Sequence, residues 1–517
     1  MRDHLLIYLN GHPLRVSGDD AFLTLTDFLR KRRGLPGTKV VCAEGDCGSC
    51  AVLLGRPSAS SNTVHYTNVT ACIQLMLQLD GVHVVTIEGL TPASEQDLNP
   101  IQDAMVRCHG TQCGFCTPGF VVSLYQLLHE GQPHDTHTLR RGLTGNLCRC
   151  TGYDSIVQAA EQTDRERLTP LNTLYPPRVI AEALNRATAE TVDLHTADGR
   201  RLFKPATLND ATAWLADQHA KGVSPTIISG GTDLGVLNNH RKLRPEIVLT
   251  TTALPELQDI SVNQGMLSVG GAAPLSQLED TAQTHLPELA EYLGWFGSPL
   301  IRNAGTLAGN LCTASPIGDT APVLYALGAT LELASTTGTR SMPVQDFHTG
   351  YRTTELRPDE LLTRVDIPLP KRNEHVRFYK VSKRRDMDIS TFSAAAWLRV
   401  TDRHIEDARL AFGGVGPRVL RMPEAEAELI NRPFEYPSFE RAADAARAAV
   451  RPLSDVRGSA GYRSTLAGNI LHKLWHDLTH PGANDDENHN GKLPRSPKPA
   501  GDASAPVTVH HPSSETT

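Results

Sequence analysis

Apolar residues at alternate positions predict the first elements of the chain. They recur at every second position from 5 to 9 and again at 14 and 16, and the two-residue turn Asn10-Gly11 lies between these runs. This pattern is typical of a β-hairpin. A short helix over 26–30 and a strand over 50–54 follow, separated by a loop rich in glycine and cysteine. Residues 1–90 therefore predict a small strand-rich domain.

Helical spacing dominates the next segment, residues 91–165. One apolar stripe follows the spacing i, i+4, i+7, i+8 of a helix face: Phe120, Leu124, Leu127 and Leu128. Thr117-Pro118 predicts the start of this helix and Gly131 predicts its end. Residues 166–196 are polar and contain three prolines, so we interpret them as a linker.

Mixed strand and helix patterns continue from the linker to residue 477. We divide them into a unit at 197–373 and a smaller α/β unit at 374–477. Residues 478–517 contain six prolines and no aromatic residue, a composition that cannot bury enough apolar surface to order itself. This last segment is predicted to be a disordered tail.

The overall composition excludes several classes of protein. The 517 residues are 40% hydrophobic and 21% charged, as in a globular chain with several domains. A net charge of −7 indicates neither a nucleic-acid partner nor a polybasic membrane surface. The sequence contains no apolar run long enough to span a bilayer. The first ten residues lack the apolar core and cleavage site of a secretory signal, so we expect a cytoplasmic protein.

Nine of the ten cysteines lie between Cys42 and Cys150. Clustered thiols in a reducing compartment indicate metal binding rather than disulfides. The first set follows the spacing Cys-x4-Cys-x2-Cys with a fourth cysteine further on: Cys42, Cys47, Cys50 and Cys72. This is the spacing of a plant-type [2Fe–2S] cluster, and Gly45 and Gly48 allow the backbone to wrap closely around it. A structural zinc site is the alternative.

Two pairs of cysteines form a second set: Cys113, Cys116, Cys148 and Cys150. Spacing alone leaves both a [2Fe–2S] cluster and a zinc site open, because zinc is also bound by pairs of cysteines. The flanking segments 110–119 (GTQCGFCTPG) and 145–153 (GNLCRCTGY) resemble the second [2Fe–2S] domain of the molybdenum hydroxylases. This resemblance implies the cluster. Cys108 and Cys312 are expected to be small buried hydrophobic residues.

Glycine-rich turns are the candidates for nucleotide binding. The sequence has no Gly-x-Gly-x-x-Gly dinucleotide loop and no Walker A lysine. The segments 227–234 (IISGGTDL) and 305–310 (GTLAGN) could bind a pyrophosphate through their backbone N–H groups. A Gly-Gly turn is also a common structural feature, so neither segment identifies a ligand by itself.

The segment 301–311 (IRNAGTLAGNL), with Asp319 beyond it, resembles the FAD-binding domain of the xanthine dehydrogenases, a fold of the vanillyl-alcohol-oxidase type. The resemblance implies these FAD contacts: Ile227, Ile228, Ser229, Gly230, Gly231, Thr232, Asp233, Leu234, Phe296, Thr306, Gly309, Asp319, Leu362 and Lys380. It places Phe296 and Leu362 near the isoalloxazine ring and the charge of Lys380 near the flavin. The residues alone would leave Lys380 as a solvated strand residue.

The order of these parts resembles the iron–sulfur and FAD subunit of bacterial xanthine dehydrogenases over residues 1–477. The resemblance implies an α+β multidomain fold: a ferredoxin-like β-grasp [2Fe–2S] domain at 1–90, a helical [2Fe–2S] domain at 91–165, the linker at 166–196, the FAD-binding domain at 197–373 and a small α/β C-terminal flavoprotein domain at 374–477. It also implies a large partner subunit that carries molybdopterin, assembled with this chain as a heterotetramer. No segment of the chain is left for that cofactor.

The implied function is electron transfer from the molybdenum centre through two [2Fe–2S] clusters and FAD to NAD, during oxidation of hypoxanthine and xanthine to urate. No residue of this chain is then a catalytic acid or base. The resemblance implies that the loop 382–388 lies near the flavin and that Tyr351 lies near the nicotinamide, with a solvated charged turn as the alternative for the loop.

Three other functions stay open at this point. The chain could have the same electron-transfer role in a molybdenum hydroxylase that oxidises aldehydes or other N-heterocycles. It could be a free-standing NADH-dependent iron–sulfur flavoprotein reductase. It could also be a zinc-bound interaction module on an inactive flavin-like scaffold.

Overall fold

A five-stranded sheet of order β2-β1-β5-β3-β4 forms the first region, with β1 and β5 parallel and the other neighbours antiparallel. The computed structural model describes residues 1–58, 63–91, 98–129 and 135–480. The elements of this region are β1 (Leu5–Leu9), β2 (His12–Val16), α1 (Leu25–Asp27), β3 (Ala51–Pro57), β4 (Val64–Thr70) and β5 (Val82–Val85). A π-helical turn, Phe28–Arg32, continues α1, so the predicted short helix is confirmed.

The predicted hairpin is also confirmed, because β1 and β2 pair in register around the turn. Asn10 and Gly11 have φ angles of 46° and 83°. Two successive positive φ angles match the right-handed twist of the strands that such a turn connects.

Helices make up the second region: α2 (Pro100–Arg107), α3 (Thr117–His129), α4 (Thr136–Gly142) and α5 (Asp154–Glu161). Helix α3 begins at Thr117, as predicted, and buries Phe120, Leu124 and Leu128 of the predicted stripe. The expected end of the helix at Gly131 lies outside the described residues.

The interpretation of 166–196 as a linker is wrong, because the segment is folded and packed. It contains α6 (Leu171–Leu174), α7 (Pro177–Thr188) and β6 (Val192–His195). Helix α7 buries a face with helical spacing: Ile180, Ala181, Ala183, Leu184 and Ala187. Pro177 occupies the first position of this helix, where proline is tolerated because its missing N–H has no partner there. The prolines therefore mark the start of a helix rather than a linker.

Three sheets and several helices form the third region. The elements that follow β6 are β7 (Arg201–Lys204), α8 (Leu208–Ala220), β8 (Thr226–Ile228), α9 (Thr232–Asn239), β9 (Ile247–Thr250), β10 (Ile260–Asn263), β11 (Met266–Gly270), α10 (Leu275–His285), α11 (Pro287–Gly294), α12 (Pro299–Arg302), α13 (Leu307–Thr313), α14 (Thr320–Leu327), β12 (Thr330–Ser335), β13 (Gly338–Pro343), α15 (Val344–Phe347), β14 (His348–Gly350), β15 (Thr353–Thr354) and β16 (Leu361–Pro368). The sheet orders are β6-β7-β9-β8, β10-β11-β16-β12-β13 and β14-β15.

An antiparallel sheet covered by two long helices forms the last region. Its elements are β17 (Glu374–Val381), β18 (Phe392–Thr401), β19 (His404–Gly413), β20 (Leu420–Arg421), α16 (Pro423–Ala427), β21 (Arg432–Pro433), α17 (Tyr436–Ala449) and α18 (Ala460–Thr479). The predicted tail began at residue 478, whereas α18 continues through Thr479; the remainder of the tail, 481–517, lies outside the described residues. Among the helices that the structure describes, none has the length and apolar character needed to cross a membrane.

The first sheet lies between two hydrophobic cores, and this arrangement brings the candidate sites together. Alternate residues of a strand face opposite sides of a sheet. Leu53 therefore packs in one core with α3 and α7, while Val52 and Leu54 pack in another core with the sheet β6-β7-β9-β8. The cysteine loop at one end of this sheet consequently has the helical region on one side and the third region on the other.

Candidate functional site

Four thiols of the first cysteine set converge at one end of the first sheet. Cys42, Cys47 and Cys50 lie on the loop between α1 and β3, and Cys72 follows β4. The Cys42 thiol lies within hydrogen-bonding reach of the Cys47 and Cys72 thiols, and the Cys72 thiol also reaches that of Cys50. The four thiols therefore form one row of neighbours, in the order Cys47, Cys42, Cys72 and Cys50.

The loop wraps tightly because its backbone repeatedly takes the left-handed conformation. Gly45 and Gly48 have φ angles of 83° and 64°, as the sequence predicted, and Ala43 also has a φ of 57°. A Cβ on Gly45 would lie 2.7 Å from Cδ1 of Ile73, so no side chain fits there. Hydrogen bonding among the thiols lowers the pKa of Cys42 and raises the pKa of Cys47 and of Cys72.

Cysteines of the second set approach each other in pairs, Cys113 with Cys150 and Cys116 with Cys148. The hydroxyl of Thr151 donates to Cys148 Sγ at 3.1 Å. Hydrogen bonds to a thiolate stabilise its charged form. Burial and the neighbouring Cys148 thiol raise the pKa of Cys116 to about 12.

The arrangement of the thiols in each set helps to distinguish a diiron cluster from a zinc site. In a [2Fe–2S] cluster with four cysteine ligands, each iron takes two thiolates, whereas a structural zinc ion collects all four. Within the described residues, no group of three or more histidine, cysteine, aspartate or glutamate side chains is arranged to hold a metal ion. The two neighbouring pairs of the second set fit two irons, whereas the first set forms a single row of neighbouring thiols.

The two cysteine loops contact each other directly. The backbone N–H of Leu147 donates to Cys47 O at 3.0 Å. A Cβ on Gly48 would lie 2.3 Å from Gly145 O, and one on Gly119 would lie 2.2 Å from Gly48 O. Only glycine allows the backbones to approach so closely. Leu147, next to Cys148 of the second set, is therefore hydrogen-bonded to Cys47 of the first set.

The glycine-rich segment 227–234 forms the predicted turn between β8 and α9. Gly231 has a φ of 71°, and a Cβ on Gly230 would lie 2.1 Å from Ala304 O, so the second glycine-rich segment packs against the first. Ser229 Oγ is buried and has no hydrogen-bond partner among the described residues. A buried hydroxyl without a partner is costly. It therefore fits a bound phosphate group at this turn.

Asp319 is the centre of a buried polar cluster. Lys380 Nζ lies 2.8 Å from Asp319 Oδ2, and the hydroxyl of Ser390 donates to Asp319 Oδ1 at 2.5 Å. The side chain of Lys380 is 4% exposed, so its interpretation as a solvated strand residue is wrong. Lys380 Nζ also donates to Trp295 O at 3.1 Å, next to Phe296. The cluster thus brings together two of the predicted FAD residues, Asp319 and Lys380, beside the residue that precedes a third.

The other predicted FAD residues take local positions in the same region. Thr306 caps α13 by accepting a hydrogen bond from Gly309 N at 3.0 Å. Phe296 is half-buried after the end of α11, and Leu362 is buried on β16. Tyr351 lies on the exposed turn between β14 and β15, away from the contacts that the described residues make with Asp319.

Two remaining cysteines differ from expectation. Cys312 is exposed rather than buried. Cys108 is half-buried, and its thiol donates to Gln162 Oε1 at 3.2 Å. Cys312 lies on α13, whose buried residues are Leu307, Ala308 and Leu311, so it faces away from the core of that helix.

Three family models match successive parts of the chain. A [2Fe-2S] binding domain matches residues 86–161, the FAD binding domain of molybdopterin dehydrogenases matches 197–370, and the C-terminal domain of carbon monoxide dehydrogenase flavoproteins matches 377–478. The chain is 29% identical to xanthine dehydrogenase of Oryza sativa over 92% of its own length. It is 30% identical to xanthine dehydrogenase 2 of Arabidopsis thaliana over 83% of its length. The chain belongs to the molybdenum hydroxylase family.

The chain also resembles solved structures, and each match covers a different share of the two proteins compared. A chain of carbon monoxide dehydrogenase from Hydrogenophaga pseudoflava is 27% identical, with a TM-score of 0.50, and the match covers 53% of this chain and 94% of that one. The match covers 40% of the rice relative and 36% of the Arabidopsis relative. The chain thus spans less than half the length of these relatives.

Several residues of this molybdenum hydroxylase site were not predicted from the sequence. Gln78 Nε2, from the first region, donates to Ser229 O at 2.8 Å and lies beside Gly231. Asn303 Nδ2 donates to Asn68 O and Oδ1, both at 2.9 Å, and Asn68 donates to Ser123 Oγ. No local pattern marks these residues. Ser390 could have been suspected only because it follows the predicted loop 382–388.

Proposed function

We propose that this chain is the electron-transfer part of a xanthine dehydrogenase. It would hold two [2Fe–2S] clusters and FAD, accept electrons from a molybdopterin centre on a partner subunit and deliver them to NAD while hypoxanthine and xanthine are oxidised to urate. The observation that carries the proposal is the direct contact of the two cysteine loops, together with the packing of the first loop against the third region. Such contacts suit a chain that moves electrons between cofactors.

The two cysteine sets supply the cluster ligands in this proposal. Cys42, Cys47, Cys50 and Cys72 would ligate the first cluster, and Cys113, Cys116, Cys148 and Cys150 would ligate the second. When bound, the clusters carry single electrons and FAD exchanges electron pairs with a nicotinamide, which is the chemistry of the cofactors themselves. The chain contributes spacing, enclosure and hydrogen bonds to sulfur, such as that from Thr151.

The FAD residues fall into two groups in this proposal. Residues 227–234, with Thr306 and Gly309, would bind the pyrophosphate, supported by the partnerless hydroxyl of Ser229 and the left-handed Gly231. Phe296 and Leu362 would pack near the isoalloxazine ring, with the buried ion pair of Asp319 and Lys380 beside them. The ammonium group of Lys380, paired with Asp319, would lie close to the proposed flavin.

The second cysteine set is the proposed point of contact with the molybdenum partner. Cys113 and Cys150 are exposed, and exposed apolar side chains surround them: Phe115, Leu147 and Tyr153. Exposed apolar patches of this kind mark protein interfaces. The relatives that the chain matches are more than twice its length, which supports a further portion for the molybdenum cofactor. Assembly as a heterotetramer and a cytoplasmic location are part of the proposal.

The domain limits belong to the proposal as well. We place the ferredoxin-like β-grasp domain at 1–90, the helical cluster domain at 91–165, the vanillyl-alcohol-oxidase-type FAD domain up to 373 and the C-terminal domain at 374–477. The family-model matches at 86–161, 197–370 and 377–478 support these limits. The FAD domain begins with β6 (Val192–His195), because that strand pairs with β7.

A tagged chain purified from its native cells tests the proposal. We expect about four irons and one FAD per chain, from two diiron clusters and one flavin domain. A second polypeptide with molybdenum should copurify, and the complex should reduce NAD with xanthine. Zinc with little iron would favour the interaction module, whereas iron and FAD without molybdenum would favour a free-standing reductase.

A molybdenum hydroxylase with another substrate is the second candidate. The structural likeness to a chain of carbon monoxide dehydrogenase favours it, as does the match of residues 377–478 to the C-terminal domain of carbon monoxide dehydrogenase flavoproteins. The same purified complex separates the two candidates: turnover of aldehydes, N-heterocycles or carbon monoxide in place of xanthine would establish the second.

A further inference from the structure

Three successive backbone carbonyls at the C-terminal end of α11 each accept a hydrogen bond from a cation on a different element. The bonds are Arg141 Nη2 to Gly294 O at 2.8 Å, Lys380 Nζ to Trp295 O at 3.1 Å and Arg302 Nη1 to Phe296 O at 3.0 Å. Carbonyls at a helix C-terminus carry partial negative charge, so cations are stabilised there. The segment that they hold ends at Phe296, a residue of the proposed flavin site.

Arg141 differs from the other two cations because it comes from the helical cluster region. It lies at the end of α4, and its Nη1 is 2.9 Å from Asp386 Oδ1 of the loop 382–388. About one third of each of these two side chains is exposed. The forked guanidinium can donate to two acceptors at once, and here it donates to a backbone carbonyl and a carboxylate. One side chain therefore joins three segments that are far apart in the sequence.

The loop 382–388 is anchored to the Asp319 cluster at both ends. Lys380 precedes the loop and Ser390 follows it, and both bond to Asp319. Between these anchors Lys383, Arg384 and Arg385 are exposed. Asp386 is half-buried against Arg141. The loop is thus held at its ends by the proposed flavin site and in its middle by the helical region.

We propose that Arg141 is a positioning residue of the flavin site. It holds the loop 382–388 against the helical region and fixes Gly294 O, so that a side chain of the cluster domain sets the geometry of the segment leading to Phe296 and of the loop. The approach of the nicotinamide to the flavin then depends on this contact between domains. The identities of flavin and nicotinamide rest on the proposed function, whereas the anchoring of the loop does not.

Trypsin tests the anchoring directly, because Lys383, Arg384 and Arg385 are cleavage sites within the loop. In the FAD-loaded full chain, Arg141→Ala should speed cleavage at these sites up to about fivefold, the range expected for the loss of one partly exposed ion pair. Arg140→Ala is the matched control: Arg140 is the preceding residue and its guanidinium lies 3.3 Å from Asp154 within the helical region. It should leave the cleavage rate unchanged.

Kinetics separate positioning from general stability. Arg141→Ala should raise the KM for NADH in dye reduction up to about fivefold, with little change in kcat or FAD content, because the loop loses one ion pair while the flavin contacts remain. Arg141→Lys keeps the charge but lacks the forked guanidinium, so its KM for NADH should lie between those of the wild type and Arg141→Ala. Asp386→Asn should reproduce the faster cleavage even if Arg141→Ala fails to fold.

Two results would overturn the inference while leaving the proposed function standing. One is an equal cleavage rate for wild type, Arg141→Ala and Asp386→Asn, with FAD bound in all three. The other is a joint fall of kcat and FAD content at unchanged KM, which would make Arg141 only a structural residue. A wild-type chain that binds no FAD would instead contradict the proposed function.

Discussion

Three of the four cysteines in the first set are buried, whereas two of the four in the second set are exposed. The first loop is covered by the third region: Asn239 Nδ2, at the end of α9, donates to Ala43 O and to Cys72 O, both at 2.8 Å. The second set has no such cover in the described part of the chain and is bordered by exposed Phe115, Leu147 and Tyr153. The chain thus buries most of the first cysteine set and leaves half of the second set exposed.

The difference assigns the two sets different positions in the proposed transfer. The first set lies against the third region, so a cluster there would exchange electrons with a cofactor bound in that region. A cluster at an exposed apolar patch can meet another protein. The predictions below, from the largest expected effect to the smallest, test whether the two sets differ in this way.

Loss of a ligand in the second set should block electron transfer from the partner subunit while leaving the reaction of NADH with the flavin intact. Cys148→Ser removes a thiolate ligand. Loss of a residue that only hydrogen-bonds to a metal ligand costs roughly 10–100-fold in activity, so loss of the ligand itself should reduce the xanthine-to-NAD activity of the complex by more than that. Oxidation of NADH by an artificial dye should survive, because the dye can take electrons from the flavin directly. Both rates are measured on one preparation, with iron and FAD determined.

Cys108→Ser is the matched control for that experiment. Its thiol lies outside both sets and bonds to Gln162, which a serine hydroxyl can also do. Both activities should be retained. Equal loss of both activities in Cys148→Ser, with FAD still bound, would contradict the proposed order of the two sets.

Acid should destabilise the first region selectively. His83 lies buried on β5, where Gly11 N donates to its Nε2 at 3.0 Å and its Nδ1 lies 2.8 Å from Tyr66 OH. Burial lowers the pKa of His83 to about 3, so the folded state holds the neutral ring. As pH falls below 6.5 the unfolded chain binds a proton that the folded chain does not, and stability should drop by roughly 1 kcal/mol per pH unit until the pH approaches 3.

The free energy of unfolding, followed between pH 7 and 5 by visible circular dichroism, measures this drop. His83→Gln should flatten the pH dependence, although the variant is less stable at neutral pH. His65→Gln, at an exposed position on the neighbouring β4, should not flatten it. A wild-type stability that stays constant over this range would exclude His83 as the source.

A single hydrogen bond should tune the second set without affecting the first. Thr151→Val removes the hydroxyl that donates to Cys148 Sγ at 3.1 Å. Because this bond stabilises the more negative, reduced state, its loss should lower the potential of the second cluster by roughly 20–60 mV, the equivalent of one hydrogen bond for a one-electron couple. Redox titration followed by electron paramagnetic resonance reports both clusters, and a shift of both would contradict the separation.

Removal of residues 481–517 should have the smallest effect. Helix α18 ends at Thr479, so a chain that ends at His480 keeps the helix complete. Its iron, its FAD and its recovery of the partner should equal those of the full chain. Loss of the partner alone would show that the deleted segment takes part in docking, in addition to or instead of the exposed patch around the second set.

Features that depend on neighbours in the chain could be predicted from the sequence. The turn Asn10-Gly11 fixes a hairpin through its own backbone preference. The spacing of Cys42, Cys47 and Cys50 places three thiols on one loop, and Thr117-Pro118 starts α3. The linker prediction was wrong because proline is also compatible with the start of a helix, and the buried face of α7 has helical spacing despite the polar residues around it.

Contacts between residues far apart in the sequence could not be predicted, because they depend on how the regions pack. Gln78 and Ser229 are 151 positions apart, and Arg141 and Gly294 are 153 apart. Such pairs meet because the first sheet is packed between the helical region and the third region, an arrangement that no local spacing encodes. Local sequence patterns thus mark the residues that we propose to bind the clusters and the flavin. The packing of the regions determined which cysteine set is enclosed, which is exposed and which side chains of one domain reach the site of another.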